Sequence, residues 1–134
     1  MKYVLALIAE EGGMEDASPE EQKASMDRWF DYTRGAVDNG AFIAGEALQP
    51  SQSATTVKIK EGEEPIVSDG PFAESKEQLG GFYLFECKDL DEALDYAKRI
   101  PFTVGTVEVR PVMDFTGMGY EDFTPAPLEA GARS

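Results

Sequence analysis

Gly80-Gly81-Phe82-Tyr83-Leu84-Phe85-Glu86-Cys87-Lys88-Asp89-Leu90-Asp91-Glu92-Ala93-Leu94 is the stretch whose reading decides the fold. Gly80 to Cys87 is rich in aromatics and reads as a strand. Asp89 then caps a helix, because a short acidic side chain accepts hydrogen bonds from the free N–H groups of a first turn, and Glu92 follows three residues later. Leu90, Ala93, Leu94 and Ala97 fall at helical spacing, and Pro101 marks the stop. The next strand runs from Thr106 to Val112, where Val107 and Val109 alternate with Thr106, Glu108 and Arg110. The unit is β-α-β.

The N-terminal half has the same grammar. Lys2 to Ala9 is an almost wholly apolar strand, so both of its faces should be covered. Ser18-Pro19-Glu20-Glu21 combines an N-cap serine, proline at the first helical position and glutamate three residues after the cap. Met26, Trp29, Phe30, Thr33 and Val37 form the predicted apolar stripe, and Asn39-Gly40 ends the helix. A strand follows from Ala41 to Leu48, with Gly45 as a bulge or close-approach point. Pro50 to Ser53 is a loop. Thr55 to Lys60 alternates with one face wet, Glu61-Gly62-Glu63-Glu64 turns, and Pro65 to Ser68 pairs back as a short strand.

The resulting order, with one extra hairpin, predicts an α+β chain. Its ferredoxin-like antiparallel sheet would carry two helices on one face. The bare face would still be apolar, and a second copy packing sheet to sheet is the expected cover, a dimeric α+β barrel. Residues 1–113 form the domain; residues 114–134 are expected to be an irregular C-terminal arm, frayed from about Pro125.

Composition limits the chemistry. The 134 residues hold 26 acids, 12 bases and no histidine, a formal charge of −14. Without histidine there is no Ser-His-Asp triad and no His-ligated zinc. A single cysteine makes no intrachain disulfide, and without a histidine partner Cys87 reads as a small buried hydrophobe. No cofactor is expected. The acidic surface argues against direct nucleic acid and membrane partners. The apolar run Tyr3 to Ala9 is short for a signal peptide and meets Glu10 and Glu11, so no targeting segment is expected, and a cytoplasmic protein fits.

Residues Asp69-Gly70-Pro71-Phe72-Ala73-Glu74-Ser75-Lys76-Glu77-Gln78-Leu79-Gly80-Gly81-Phe82-Tyr83 resemble the signature of the YCII-related family, in its DGPF subgroup. Met1-Lys2-Tyr3, Gly45-Glu46-Ala47-Leu48 with Thr55-Thr56-Val57, Asp89 to Ala93, and Val107 to Val112 match in order, so the resemblance covers about residues 1 to 113. It implies a dimeric α+β barrel and a small-molecule protein. It also implies a genomic setting beside sigma-factor genes, and hence a possible protein partner. The family's proposed histidine–aspartate pair cannot be carried over, although Asp69 matches the aspartate.

The candidate site residues have two readings each. Asp69-Gly70-Pro71-Phe72 has the chemistry of a turn, with Phe72 anchoring it in the core; the functional reading makes Asp69 a general base or ligand acceptor at the rim of a cleft. Glu74, Lys76 and Glu77 read as a solvated loop or as a charged set at a cleft mouth. Gly80-Gly81 permits close backbone approach, with the 69–72 turn as the expected neighbour. Glu46 and Arg110 face water or, on one face, pair or bind a polar ligand. Trp29, Phe30, Phe82 and Phe85 read as core or dimer contacts. Two functions follow: a homodimer that binds a small molecule, with carboxylate-based proton transfer near Asp69; or a non-enzymatic module that binds a protein such as a sigma factor through its acidic face.

Overall fold

The computed structural model describes residues 1–119. Four antiparallel strands form the main sheet: β1 (Lys2–Glu10), β2 (Phe42–Ala47), β5 (Glu77–Glu86) and β6 (Thr106–Pro111), in the order β2-β5-β1-β6. Helices α1 (Pro19–Asp38) and α2 (Leu90–Lys98) are the crossovers of two β-α-β units. The remaining strands, β3 (Thr55–Lys58) and β4 (Ile66–Asp69), pair only with each other. This is the expected ferredoxin-like α+β arrangement plus a hairpin. The predicted frayed end from Pro125 lies outside the described residues, as does most of the arm.

The helix starts follow their local chemistry. Ser18 Oγ accepts from Glu21 N at 3.1 Å, and Asp89 Oδ1 accepts from Glu92 N at 2.9 Å. Each cap satisfies an N–H that the first turn cannot pair internally. Gly40 takes φ +77° just after α1, a conformation that favours glycine.

Both helices cover the same face. Tyr3 and Leu5 of β1, Tyr83 and Phe85 of β5, and Cys87 pack with Ala36 of α1 and with Ala93 and Tyr96 of α2. Because strand side chains alternate, the residues between them point the other way. Val4, Ala6, Ile8, Phe82 and Leu84 therefore share the helix-free face, and each is only partly buried in the single chain.

The helices are rotated from their predicted seams. In α1, Met26, Phe30 and Val37 are 58%, 62% and 51% exposed, while Ala36 is buried and Trp29 and Tyr32 pack on the core. The sheet under the first half of α1 presents alanine and glycine, so Met26 and Phe30 overhang it without reaching a core. In α2 the seam runs through Ala93, Tyr96 and Ile100, and Leu90 is 48% exposed. The β3–β4 hairpin stands apart from the sheet, so Val57 and Ile59 are also exposed, contrary to a strand wet on one face only.

Tyr32 ties the two helices together: its hydroxyl donates to the Tyr96 carbonyl at 2.7 Å. Burial, with the neighbouring Tyr83 adding, pushes its phenol above the usual range. The native chain thus keeps this proton where the unfolded chain, with a phenol near pH ~10, releases it. The associated stability is complete below that pH and is lost as pH rises toward the folded value. Tyr32→Phe should cost about 1 kcal/mol at neutral pH and flatten the alkaline limb of the stability curve. Urea melts at neutral and strongly alkaline pH test this; an unchanged alkaline limb in the variant refutes it.

Candidate functional site

A cleft of about 610 Å³ opens between the N-terminal half of α1 and the sheet. That volume is in the range of small-molecule sites. Its floor is made where the sheet is thin. Ala9 of β1, Gly45 and Ala47 of β2 and Gly81 of β5 add almost no side chain. Two of these glycines are required by packing. A Cβ on Gly45 would stand 2.7 Å from the Tyr83 ring, and one on Gly81 would stand 2.7 Å from the Glu46 carbonyl oxygen. The close neighbour of the Gly80-Gly81 pair is therefore β2, not the 69–72 turn as expected. A register shift between Leu7 and Ile8 falls beside the same glycines.

The walls are aromatic. Trp29 meets Phe102 edge to face at 5.3 Å, and Tyr83, Phe42 and Phe30 complete the lining. Trp29 is thus both a core contact and a cleft wall, and Phe30 is a rim residue where the sequence suggested core. Deep in the cleft, Thr33 Oγ1 donates to the Trp29 carbonyl at 2.9 Å and lies 2.6 Å from the Tyr83 hydroxyl. A threonine has one hydroxyl proton. Its proton goes to Trp29, so Tyr83 donates to Thr33, and the Tyr83 oxygen keeps its acceptor capacity.

At the mouth, Glu11 holds the turn at Ser51–Ser53. Its carboxylate accepts from Ser51 N at 2.7 Å and from Ser51 Oγ at 2.9 Å. Gln78 orders the loop beside it, its amide donating to the Ala73 carbonyl at 3.1 Å and the Ser75 carbonyl at 2.9 Å. Ser75 Oγ donates to the Glu77 carbonyl. Trp29, Thr33, Gln78 and Phe102 were not legible as site residues, because a helical aromatic reads as core until its partner on the sheet is known to be small.

The candidates from the sequence separate into two places. Glu46, Gly80 and Gly81 line the cleft; Asp69, Gly70, Pro71, Phe72, Glu74, Lys76 and Arg110 do not. Asp69 ends β4 opposite Thr55 and is exposed. Its turn is held by the backbone: Gly70 at φ +98° donates its N–H to the Ala54 carbonyl at 2.8 Å, and Thr56 Oγ1 donates to the Gly70 carbonyl at 2.7 Å. Phe72 is 84% exposed and does not anchor the turn in the core. The hairpin stands off the main sheet, so Phe72 has no core within reach, and it borders a shallow groove with Val57, Ile59 and Ile66. Glu74 and Lys76 are exposed in the loop before β5.

Glu46 and Arg110 do share the helix-free side of the pleat, since they oppose Phe82 and Val4. They sit on opposite edge strands, with β5 and β1 between them. Three strand spacings are about 14 Å, so they do not pair; Arg110 instead pairs with Glu108 at 2.5 Å on its own strand. Cys87 is buried, and burial followed by the Glu92 carboxylate pushes its thiol up, which leaves it a poor nucleophile.

A ferredoxin-like α+β sheet with a helix-roofed aromatic cleft defines the class of this chain. Residues 1–116 match the YCII-related domain, and the chain belongs to that family. An uncharacterized protein of Rhizobium meliloti (strain 1021), R00369, is 40% identical over 116 residues, covering 84% of this chain and 92% of that one. The solved 5-chloro-2-hydroxyhydroquinone dehydrochlorinase of Burkholderia phenoliruptrix AC1100, in complex with 2,5-dihydroxybenzoquinone, is similar at 14% identity and a TM-score of 0.46, over 84% of this chain and 94% of that chain. No helix among the described residues is long and apolar enough to cross a membrane.

Proposed function

We propose that this chain binds a small organic molecule in the cleft beneath α1, as one half of a homodimer. The observation that carries the reading is the cleft itself: an apolar, aromatic-walled space of about 610 Å³ with a hydroxyl pair at its base. Such a combination of apolar lining and few convergent polar groups is what orients a small ligand. Carboxylate-based proton transfer is one acid–base chemistry open to a chain without histidine. In this reading it is assigned to Glu11 at the cleft mouth, because Asp69 stands outside the wall on the hairpin and Glu10 and Glu46 lie on the helix-free side of the pleat. Asp69 keeps a role at the site only if the ligand extends to the hairpin. A reduced, buried Cys87 suits the cytoplasm.

The dimer is supported by the helix-free face, where Val4, Ala6, Ile8, Phe82 and Leu84 lie together on the side of the sheet away from α1 and α2. The alternative reading, an accessory module that binds a basic protein region, is favoured by the charge of −14.

The test is a thermal-shift screen of metabolites against the native chain and a Ser25→Trp variant. Ser25 lines the cleft from α1, so an indole there fills the mouth while the helix is kept. Hits should raise the melting temperature of the native chain, because a ligand stabilises the state it binds, and lose that effect in the variant. Hits that shift both proteins equally would remove the cleft as the site.

A further inference from the structure

The geometry points to an organic cation with an aromatic body, an arylalkyl amine, as the ligand class of the α1 cleft. This rests on the reading of the cleft as the binding site and adds the charge and hydrogen-bonding sense of what enters it.

The first argument is charge. Glu11 lines the cleft at its mouth, Glu10 and Glu46 border it from the helix-free side of the pleat, and no lysine or arginine among the described residues belongs to the lining. Glu10 also stands directly across from Glu77 in the β1–β5 ladder, a like-charge pair that destabilises the strand ends. Lys76 precedes Glu77 but is exposed and outside the lining. In a chain of charge −14 an anion would enter against this field, and a cation would be drawn in.

The second argument is the wall. Trp29, Phe30, Tyr83 and Phe102 present π faces and edges to the space. Aromatic faces attract an ammonium group and pack against a flat ring. Glycine and alanine on the floor leave room for a planar body.

The third argument is the donor account. The Thr33 proton goes to the Trp29 carbonyl, the Tyr83 proton to Thr33, and the two Gln78 amide contacts to Ala73 and Ser75. What Tyr83 and Gln78 still offer is acceptors. The Ser25 hydroxyl and the Trp29 indole N–H are the neutral side-chain donors left in the lining. A ligand that brings N–H donors satisfies the cleft; a carboxylate would meet Glu11 at the mouth with two neutral side-chain donors to hold it.

The test is calorimetric titration of the full chain with three probes of one shape: phenethylamine, phenethyl alcohol and hydrocinnamate. The amine should bind about tenfold more tightly than the alcohol, with an affinity that falls as salt is added, and hydrocinnamate should give no binding. A Glu11→Gln variant should narrow the gap between amine and alcohol, with circular dichroism confirming that it folds. Equal binding of amine and alcohol, tighter binding of hydrocinnamate, or no binding by the amine overturns the assignment. Failure of the cleft reading is distinct: ligands of every charge would then bind the Ser25→Trp variant as well as they bind the native chain.

Discussion

Replacing Phe85 with alanine should cost about 3–5 kcal/mol, the largest stability loss expected of any single substitution in this chain. Phe85 is 0% exposed and sits where both helices meet the sheet. Its ring centroid lies 5.0 Å from that of Tyr83 and 5.1 Å from that of Tyr96, and it also faces Tyr32 and Phe42 at 6.3 and 6.4 Å. Truncation removes the apolar area and also the partner of every one of these rings. Rings cannot collapse into the space as aliphatic chains can, so most of the cavity remains. Domains are stable by about 5–15 kcal/mol, and the variant is expected to unfold at a much lower urea concentration with an unchanged slope. Phe82, three residues earlier on the same strand but partly exposed on the helix-free face, should tolerate alanine far better in the single chain. Equal losses at the two positions would show that the core has been placed on the wrong side of the sheet.

Leu84→Glu should convert a dimer into a monomer. Leu84 lies on β5 between Val4 of β1 and Ala44 of β2, near the middle of the helix-free face. In a sheet-to-sheet dimer, a carboxylate there would be buried at an interface with no base opposite it on this strand row except Arg110 at the far edge. Burying an unpaired charge costs several kcal/mol, and a micromolar dimer has only about 8 kcal/mol of association free energy. In the monomer the same glutamate faces water and the fold is retained. Sedimentation at micromolar concentration should give the native chain twice its 14.6 kDa mass and the variant 14.6 kDa. A native chain at the single mass removes the dimer, and a variant that stays at the double mass removes this face as its interface.

The cleft has its origin in one short stretch of the sheet. Gly80 and Gly81 let β5 approach β2 and shift register against β1, so the sheet is thin under α1 and the helix stands clear of it. This is why Met26 and Phe30 overhang a space where the apolar stripe predicts a seam. The stretch from Asp69 to Tyr83 thus has two structural parts. Its glycines shape the floor of the cleft, and its Asp69-Gly70-Pro71-Phe72 segment closes the β3–β4 hairpin and leaves Phe72 outside.

The sequence by itself determined the order of elements, both helix caps, the turn at Gly62, the extra hairpin and the family. These are local: a serine or aspartate cap acts within one turn, and an alternating strand is written in adjacent residues. Composition likewise shows that these 134 residues supply no histidine to any chemistry. Only the tertiary structure decided which strand face the helices cover, because alternation defines two faces without saying which is roofed. It also decided that Phe72 is exposed, that Glu46 and Arg110 are strands apart, and that Trp29 and Tyr83 wall a cleft. Each of these depends on what a distant segment places opposite, as the proton of Tyr83 depends on Thr33, fifty residues away in the chain.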